Sequence, residues 1–290
     1  MPLSEAFFVH YKRYLIMDRR GHRDRRDLPS KRGPRERDNY SAPRDEALVI
    51  YGRHPVLEAL RKGIVQEIEI HQAAHGAVIK EIEQEAAQHG IRCYRRTFES
   101  DTDSATRQGV RARINPVTAR DDLPDFVDEL DLSAGPLLLM LDGIEDPHNF
   151  GAILRSAYAA GVDGVIVRSR RQAPLTSTVF KTSAGAAALI PIFEVNNLEH
   201  VLRSFKPMGW WVASAVMNDS TTDYRDYDWN LPTILIMGAE GKGVSDLLVK
   251  RSDHLISIPM RGKLDSLNVS VATGILLFEA SHQKLTKKGK

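Results

Sequence analysis

The chain has 290 residues, a formal net charge of +2, and 42% apolar and 27% charged residues. That length allows one or two domains with a full hydrophobic core. A single cysteine, Cys93, excludes a disulfide framework and any multi-cysteine metal site. In its strand-like IRCY setting it reads as a small buried apolar residue. No apolar run reaches membrane-spanning length, and no h-region with a cleavage site follows the mildly amphipathic opening. A soluble, cytoplasmic protein with no membrane partner is expected.

Charge is unevenly spread. Residues 1–46 carry 12 Lys/Arg against 8 Asp/Glu, so the rest of the chain is slightly acidic. The run RRGHRDRRDLPSKRGPRERDNYSAPR is poor in aliphatics and predicts a disordered basic extension over 1–46. Its two readings are a solvated tail and an arm that tethers RNA by neutralising phosphates. Met17, just before this run, is an alternative start.

Ala47–Tyr51 predicts a strand, and Gly52-Arg53-His54-Pro55 turns into the amphipathic helix VLEALRKG, which Gly63 ends. Strands are expected at Gln66–His71, Ile91–Tyr94 and Gly109–Ile114, with a helix over Ala77–His89. This βαβαβ pattern defines a small α/β domain over residues 47–117. His71 and His75 are four apart, but His71 ends a predicted strand and no third ligand is near, so no metal site is expected. Residues 118–136 are acidic and read as a linker with one short helix. Beyond it, strands at Leu137–Leu141, Gly164–Val167, Leu189–Phe193, Trp210–Ala215, Thr233–Met237 and Leu255–Ile258 alternate with helices. That alternation predicts an α/β unit with a parallel sheet over 137–290.

Polar and glycine-rich residues gather at three strand ends in that unit. After Leu137–Leu141, Asp142-Gly143 leads to Asn149, which can cap a helix starting near Phe150, and Arg155 projects from its second turn. After Thr233–Met237 come Gly238, Gly241 and Gly243, whose lack of side chains lets a ligand approach the backbone. The spacing fits neither a P-loop nor a dinucleotide fingerprint. In ISIPMRGKLDSLNVSVATGILLFE, Pro259 stops a strand and Ser266-Leu267-Asn268 precedes a helix, where free backbone N–H groups are available.

Taken together, Asn149…Gly151…Arg155, Gly238-Ala239-Glu240-Gly241 and Ser266-Leu267-Asn268 resemble the three signature motifs of the SpoU (TrmH-like) ribose 2′-O-methyltransferases. The resemblance covers about Leu137 to Gln283. It implies S-adenosylmethionine as cofactor, an RNA ribose 2′-hydroxyl as acceptor, a homodimer, and a SPOUT-type parallel-sheet domain with a C-terminal trefoil knot. Patterning alone gives an ordinary doubly wound sheet, because knotted connections are nearly absent from folds. Residues 51–60, YGRHPVLEAL, look like the L30e/L7Ae-like substrate-binding domain that precedes the catalytic domain in many SpoU enzymes. Arg107-Gln108-Gly109-Val110 resembles a His-Gln-Gly-Val run of the same domain, with Arg in place of His.

The resemblance implies catalytic roles for Asn149, Arg155, Glu240, Ser266 and Asn268. It places the cofactor on Gly238, Ala239, Glu240, Gly241, Ile258, Met260, Ser266, Leu267 and Asn268. Arg53, Arg107 and Arg155 are the candidate RNA contacts. Two roles for Arg155 stay open: a base that activates the hydroxyl, or a clamp that stays protonated and stabilises developing alkoxide charge. A guanosine of large-subunit (23S) ribosomal RNA is the first substrate expected. A tRNA ribose is the alternative, as is a non-catalytic RNA-binding protein of the same fold.

Overall fold

The computed structural model describes residues 48–97, 108–115, 117–217, 220–262 and 266–288. The basic extension, Met17 and Arg107 lie outside the described residues.

The amino-terminal part is built from β1 (Leu48–Tyr51), α1 (Arg53–Arg61), β2 (Val65–His71), α2 (Ala77–Gln88), β3 (Arg92–Arg96) and β4 (Val110–Ile114). The four strands form one sheet in the order β1-β4-β2-β3. Alternate residues (Ile50, Ile68, Ile70, Ala112) are buried against Val56, Leu60, Ile79 and Ile82 of the two helices. This is the period-two pattern of a sheet with one covered face. The other face carries cross-strand ion pairs, with Arg113 on Glu67 and Arg96 on Glu69. Cys93 departs from expectation. It is exposed, because β3 is the sheet's edge strand and little covers its outer side.

The next segment holds α3 (Leu123–Asp128) and a short 3-10 turn at Leu132–Ala134. It was expected to be a linker, yet Leu123 and Val127 are buried in the second hydrophobic core. Arg120 also joins the edge of the large sheet, donating its N–H to the Ile192 carbonyl at 2.7 Å. The acidic composition hides two apolar anchors four residues apart on one helix face.

The second sheet follows as β5 (Leu137–Asp142), α4 (Pro147–Ala160), β6 (Gly164–Arg168), α5 (Ser177–Thr182), α6 (Ala186–Leu189), β7 (Ile192–Val195), α7 (Leu198–Phe205), β8 (Trp211–Ala215), β9 (Thr222–Asp223), β10 (Thr233–Gly238), α8 (Asp246–Arg251), β11 (His254–Ser257) and α9 (Val269–Lys288). The order is β7-β6-β5-β10-β8-β11-β9, and every neighbouring pair is parallel. Leu139, Leu141 and Leu235 face Phe150, Leu154 and Leu277 of α4 and α9. Leu138, Met140 and Ile236 face the other way, toward Leu198, Leu202 and Leu248 of α7 and α8. Helices on both faces explain why β5 and β10 are buried along their whole length.

Two boundaries differ from the sequence expectation. The strand expected at Leu189–Phe193 begins only at Ile192, because Ala186–Leu189 forms a helical turn and Ile190 is extended ahead of Pro191. The two-residue β9 is too short to leave a pattern in sequence.

The two sheets meet through α5 and α6. A Cβ on Gly185 would lie 3.2 Å from the Ile50 side chain and 3.5 Å from Pro55, and the Lys62 ammonium donates to the Leu189 carbonyl.

Beneath β10, Tyr227 is buried with its hydroxyl 3.0 Å from Thr233 Oγ1. Burial pushes its phenol up to about 12 from the ordinary 10.0. The unfolded chain therefore releases this proton first. Tyr227 adds no pH dependence below about pH 10, and stability falls as pH rises toward about 12. Tyr227→Phe should flatten that segment of a denaturant-unfolding profile measured from pH 9 to 12 relative to wild type. An unchanged slope would place the titration elsewhere.

Candidate active site

All three sequence motifs sit where a strand of the parallel sheet ends, on the side where open α/β sheets place their ligands. β5 runs into the loop before α4, β10 into the glycine loop before α8, and β11 into the segment before α9.

The helix after β5 starts earlier than expected. Asp146 is its N-cap, accepting from the N–H groups of His148 and Asn149 at 3.1 and 3.2 Å, and Pro147 takes the first helical position. Asn149 is therefore not the cap; it lies inside the first turn with its side chain free to reach outward. Arg155 consequently projects from the third turn. Gly151 fits α4 against α5: a Cβ there would lie 2.7 Å from Thr182 Cβ.

The Asn149 amide joins the motifs. Its Nδ2 donates to Glu240 Oε2 at 3.2 Å, and its Oδ1 accepts from Asn268 Nδ2 at 3.0 Å. Asn268 Oδ1 in turn accepts from the Ser270 N–H at 2.9 Å and the Ser270 hydroxyl at 2.6 Å, starting α9. Asn268 thus serves as a helix cap and as a link between segments.

Gly238 leaves no open space where a side chain would stand. A Cβ there would lie 1.9 Å from the Gly243 carbonyl carbon and 2.1 Å from the Val244 nitrogen. The space beside its backbone is taken by the glycine loop folding back on itself, with Gly243 N–H donating to the Ala239 carbonyl at 2.8 Å. Gly241 and Gly243 adopt φ of +77° and +65°, the left-handed region glycine enters without strain.

Beneath this loop lies a pocket of about 570 Å³, within the range of small-molecule sites. Gly238, Ala239, Glu240, Gly241, Ile258, Met260, Ser266 and Leu267 all line it. Asn268, Asn149 and Arg155 are not among the lining residues; the two amides stand outside the wall, tying it together. Sequence reasoning missed part of the wall: Ala215–Met217 after β8, and Val269, Ala272 and Leu276 of α9. The carboxyl end of β8 could have been found from the rule that placed the other three.

Asp142, passed over as a strand end, is a second link. Its carboxylate is buried, accepting from Arg168 Nη2 at 2.8 Å and the Ser245 N–H at 2.9 Å. It therefore pins the glycine loop's far end to β5 and β6. Arg155 is exposed and has no hydrogen-bond or ion-pair partner among the described residues. Arg53 is engaged within the small domain, donating to the carbonyls of Gln108 and His75 at 3.1 and 3.3 Å. His71 and His75 form no metal cluster, and none exists among the described residues. No helix among those residues is long and apolar enough to cross a membrane.

The site is thus a small-molecule pocket at the strand ends of a parallel sheet, walled by the segments after β8, β10 and β11 and tied to the start of α4 through Asn149. Residues 136–278 match the SpoU rRNA Methylase family, and residues 49–119 match the RNA 2′-O ribose methyltransferase substrate binding family. The chain is 38% identical over 242 residues to a TrmH family tRNA/rRNA methyltransferase of Staphylococcus haemolyticus, covering 82% of this chain and 97% of that protein. It is 43% identical over 195 residues to the 23S rRNA (guanosine-2′-O-)-methyltransferase RlmB of Vibrio parahaemolyticus, covering 67% and 78%. The AdoMet-bound rRNA methyltransferase from Sinorhizobium meliloti superimposes with a TM-score of 0.60 at 26% identity, over 81% of this chain and 87% of that one. The chain belongs to the SpoU RNA methyltransferase family.

Gly238→Ala should unfold the glycine loop rather than merely narrow the pocket, because the new Cβ meets backbone that cannot swing away. The expected result is a stability loss of about 2–4 kcal/mol, together with loss of S-adenosylmethionine binding by calorimetry. A variant with wild-type stability and binding would show that the loop does not close on Gly238.

Proposed function

We propose that the protein transfers the methyl group of S-adenosylmethionine to the 2′-hydroxyl of a guanosine ribose in large-subunit ribosomal RNA. The observation that carries this is the hydrogen-bonded chain Glu240–Asn149–Asn268 at the edge of a cofactor-sized pocket. The 43% identity to a 23S rRNA guanosine 2′-O-methyltransferase favours the ribosomal substrate. A transfer RNA is the second reading, favoured by the relative whose name covers both RNAs.

The pocket suits the cofactor. Ile256, Leu276 and Met237 offer an apolar wall to an adenine, and the Gly238–Gly243 backbone leaves polar groups close to the ligand. Glu240 and Asp246 at the wall suit the cationic methionine portion. When bound, the cofactor supplies an electrophilic methyl on a positive sulfur. The chain's own residues have three tasks: to orient donor and acceptor in line, to keep the pocket dry, and to stabilise the oxygen as its proton leaves. Ser266 and Leu267 form the rim that α9 holds in place. Arg155 has an uncommitted guanidinium on the helix that carries Asn149. It acts as a clamp on RNA that steadies the developing alkoxide. Base catalysis would require a neutral guanidinium, which an exposed arginine does not provide at neutral pH.

The wider assembly is proposed on the same footing. Residues 47–117 present RNA as an L30e-like domain, with Arg53 shaping its loop as well as offering charge. Residues 118–136 belong with the catalytic half, onto which they pack. The segment from β11 into α9 threads a loop of the catalytic domain as a trefoil knot, so that Ser266–Asn268 return to the glycine loop. Two copies pair in the cytoplasm. Support for pairing comes from α9, where Val271, Phe278 and Leu285 recur every seventh residue and are 51%, 53% and 68% exposed. That is an apolar stripe at the surface of a helix whose other side buries Val269, Thr273, Leu276, Leu277 and Ala280.

Calorimetry with S-adenosylmethionine, followed by mapping of methylated riboses on rRNA incubated with protein and cofactor, tests this function. Arg155→Ala should lower kcat by about 10²–10³-fold and leave the cofactor Kd within about twofold, since the side chain lies outside the pocket wall. Arg155→Lys should also be poor, because it loses the planar fork. Full turnover in Arg155→Ala would remove the residue from the mechanism.

A further inference from the structure

The loop after β6 supplies a feature that the proposed chemistry does not use. Among the described residues only two non-glycine residues, Arg171 and Ala184, have positive φ. Arg171 holds φ +58° at an exposed position. Such a conformation in a long side chain persists only where its surroundings enforce it, and it marks functional segments.

The surroundings do enforce it. Arg168, at the base of the loop, is neutralised by the buried Asp142 carboxylate. The Ser169 hydroxyl donates to Asn196 Oδ1 at 3.0 Å. On the other side, Ala173 N–H donates to the Ile144 carbonyl at 2.8 Å, and the Ile144 N–H donates to Gln172 Oε1 at 3.2 Å. The loop is therefore stitched to Gly143–Ile144, the segment that leads into the Asp146 cap and Asn149. A Cβ on Gly143 would lie 3.5 Å from the Arg171 carbonyl oxygen and 3.8 Å from Ala239 Cβ, itself on the pocket wall. Between these anchors Arg170 and Arg171 are exposed, with no ion-pair or hydrogen-bond partner among the described residues. Glu145, on the facing loop, pairs with neither.

Two consecutive arginines on a backbone anchored beside the rim, both exposed and without a partner among the described residues, suit a phosphodiester. We propose that Arg171, assisted by Arg170, grips an RNA backbone phosphate flanking the target nucleotide. It thereby fixes how far the ribose advances toward the pocket. Arg168 is excluded from this role because Asp142 already holds it. The inference rests on the reading that RNA is the substrate.

The test is Arg171→Gly, which removes the guanidinium while keeping a residue that accepts φ +58°. The fold should survive, as thermal unfolding will report. With deproteinised 23S rRNA, KM should rise about three- to tenfold with kcat little changed, and S-adenosylmethionine affinity should be unaltered. The slope of log affinity against log salt, measured by filter binding, should become shallower by about 0.7–0.9, one phosphate contact. Arg171→Lys should restore that slope. A wild-type KM and slope in Arg171→Gly would reduce the residue to a loop-shaping role and overturn the proposal. A wild-type protein that binds this RNA but methylates none would sink the enzymatic reading. The salt slope would still decide the phosphate contact.

Discussion

One neutral amide holds the candidate site together. Asn149 donates to Glu240, 91 residues away, and accepts from Asn268, 119 residues away. The carboxamide donates from one atom and accepts at another held at fixed separation, so a single side chain meets a carboxylate and an amide donor at once. An aspartate would face Glu240 with like charge, and a hydrophobic residue would leave both partners unmet. Each such bond contributes only about 0.5–1.5 kcal/mol net. The three segments are therefore brought together by the sheet and only locked in register by the amide.

The sheet does the larger work. Parallel β5 and β10 are neighbours, and β11 reaches the same edge through β8, so all three strands deliver their carboxyl ends to one side. Packing of α4 against α9 on one face then sets the height of Asn149 relative to Asn268. Asp142 repeats the device one layer down, where a buried carboxylate joins β6 to the start of α8. The Asp142 carboxylate is buried, so removing its partner Arg168 would leave that charge uncompensated, a costlier loss than that of a neutral amide bond. A rigid base with a lightly locked rim suits a site that must admit a cofactor and an RNA in turn.

Much of this was legible in sequence. Continuous apolar runs marked β5 and β10 because strands buried on both faces have no alternation to lose. The three motifs marked the strand ends: residues of the second and third line one pocket, and Asn149 of the first joins them by hydrogen bonds from outside its wall. Asp146, rather than Asn149, caps α4; the proline after Asp146, at the first helical position, was the sequence signal that distinguished the two. Other features were hidden for physical reasons. Asp142 looked like punctuation after a strand, since a buried carboxylate is recognisable only once its partner arrives from another strand. Gly238 was read as room for a ligand, but the room is filled by Gly243 and Val244. That distinction depends on how a loop folds back, which spacing does not encode. The segment 118–136 was taken for a linker because its acidic residues outnumber the two apolar side chains that it buries fully.

Asn149 thus makes the three segments one functional unit. A double-mutant cycle of Asn149→Ala and Asn268→Ala on kcat/KM for methyl transfer to large-subunit rRNA tests it most directly. If the amides act through one another, the second substitution should cost little after the first, leaving a coupling of about 1 kcal/mol or more. Independent costs that simply add would contradict the shared lock and reduce Asn268 to the cap of its helix.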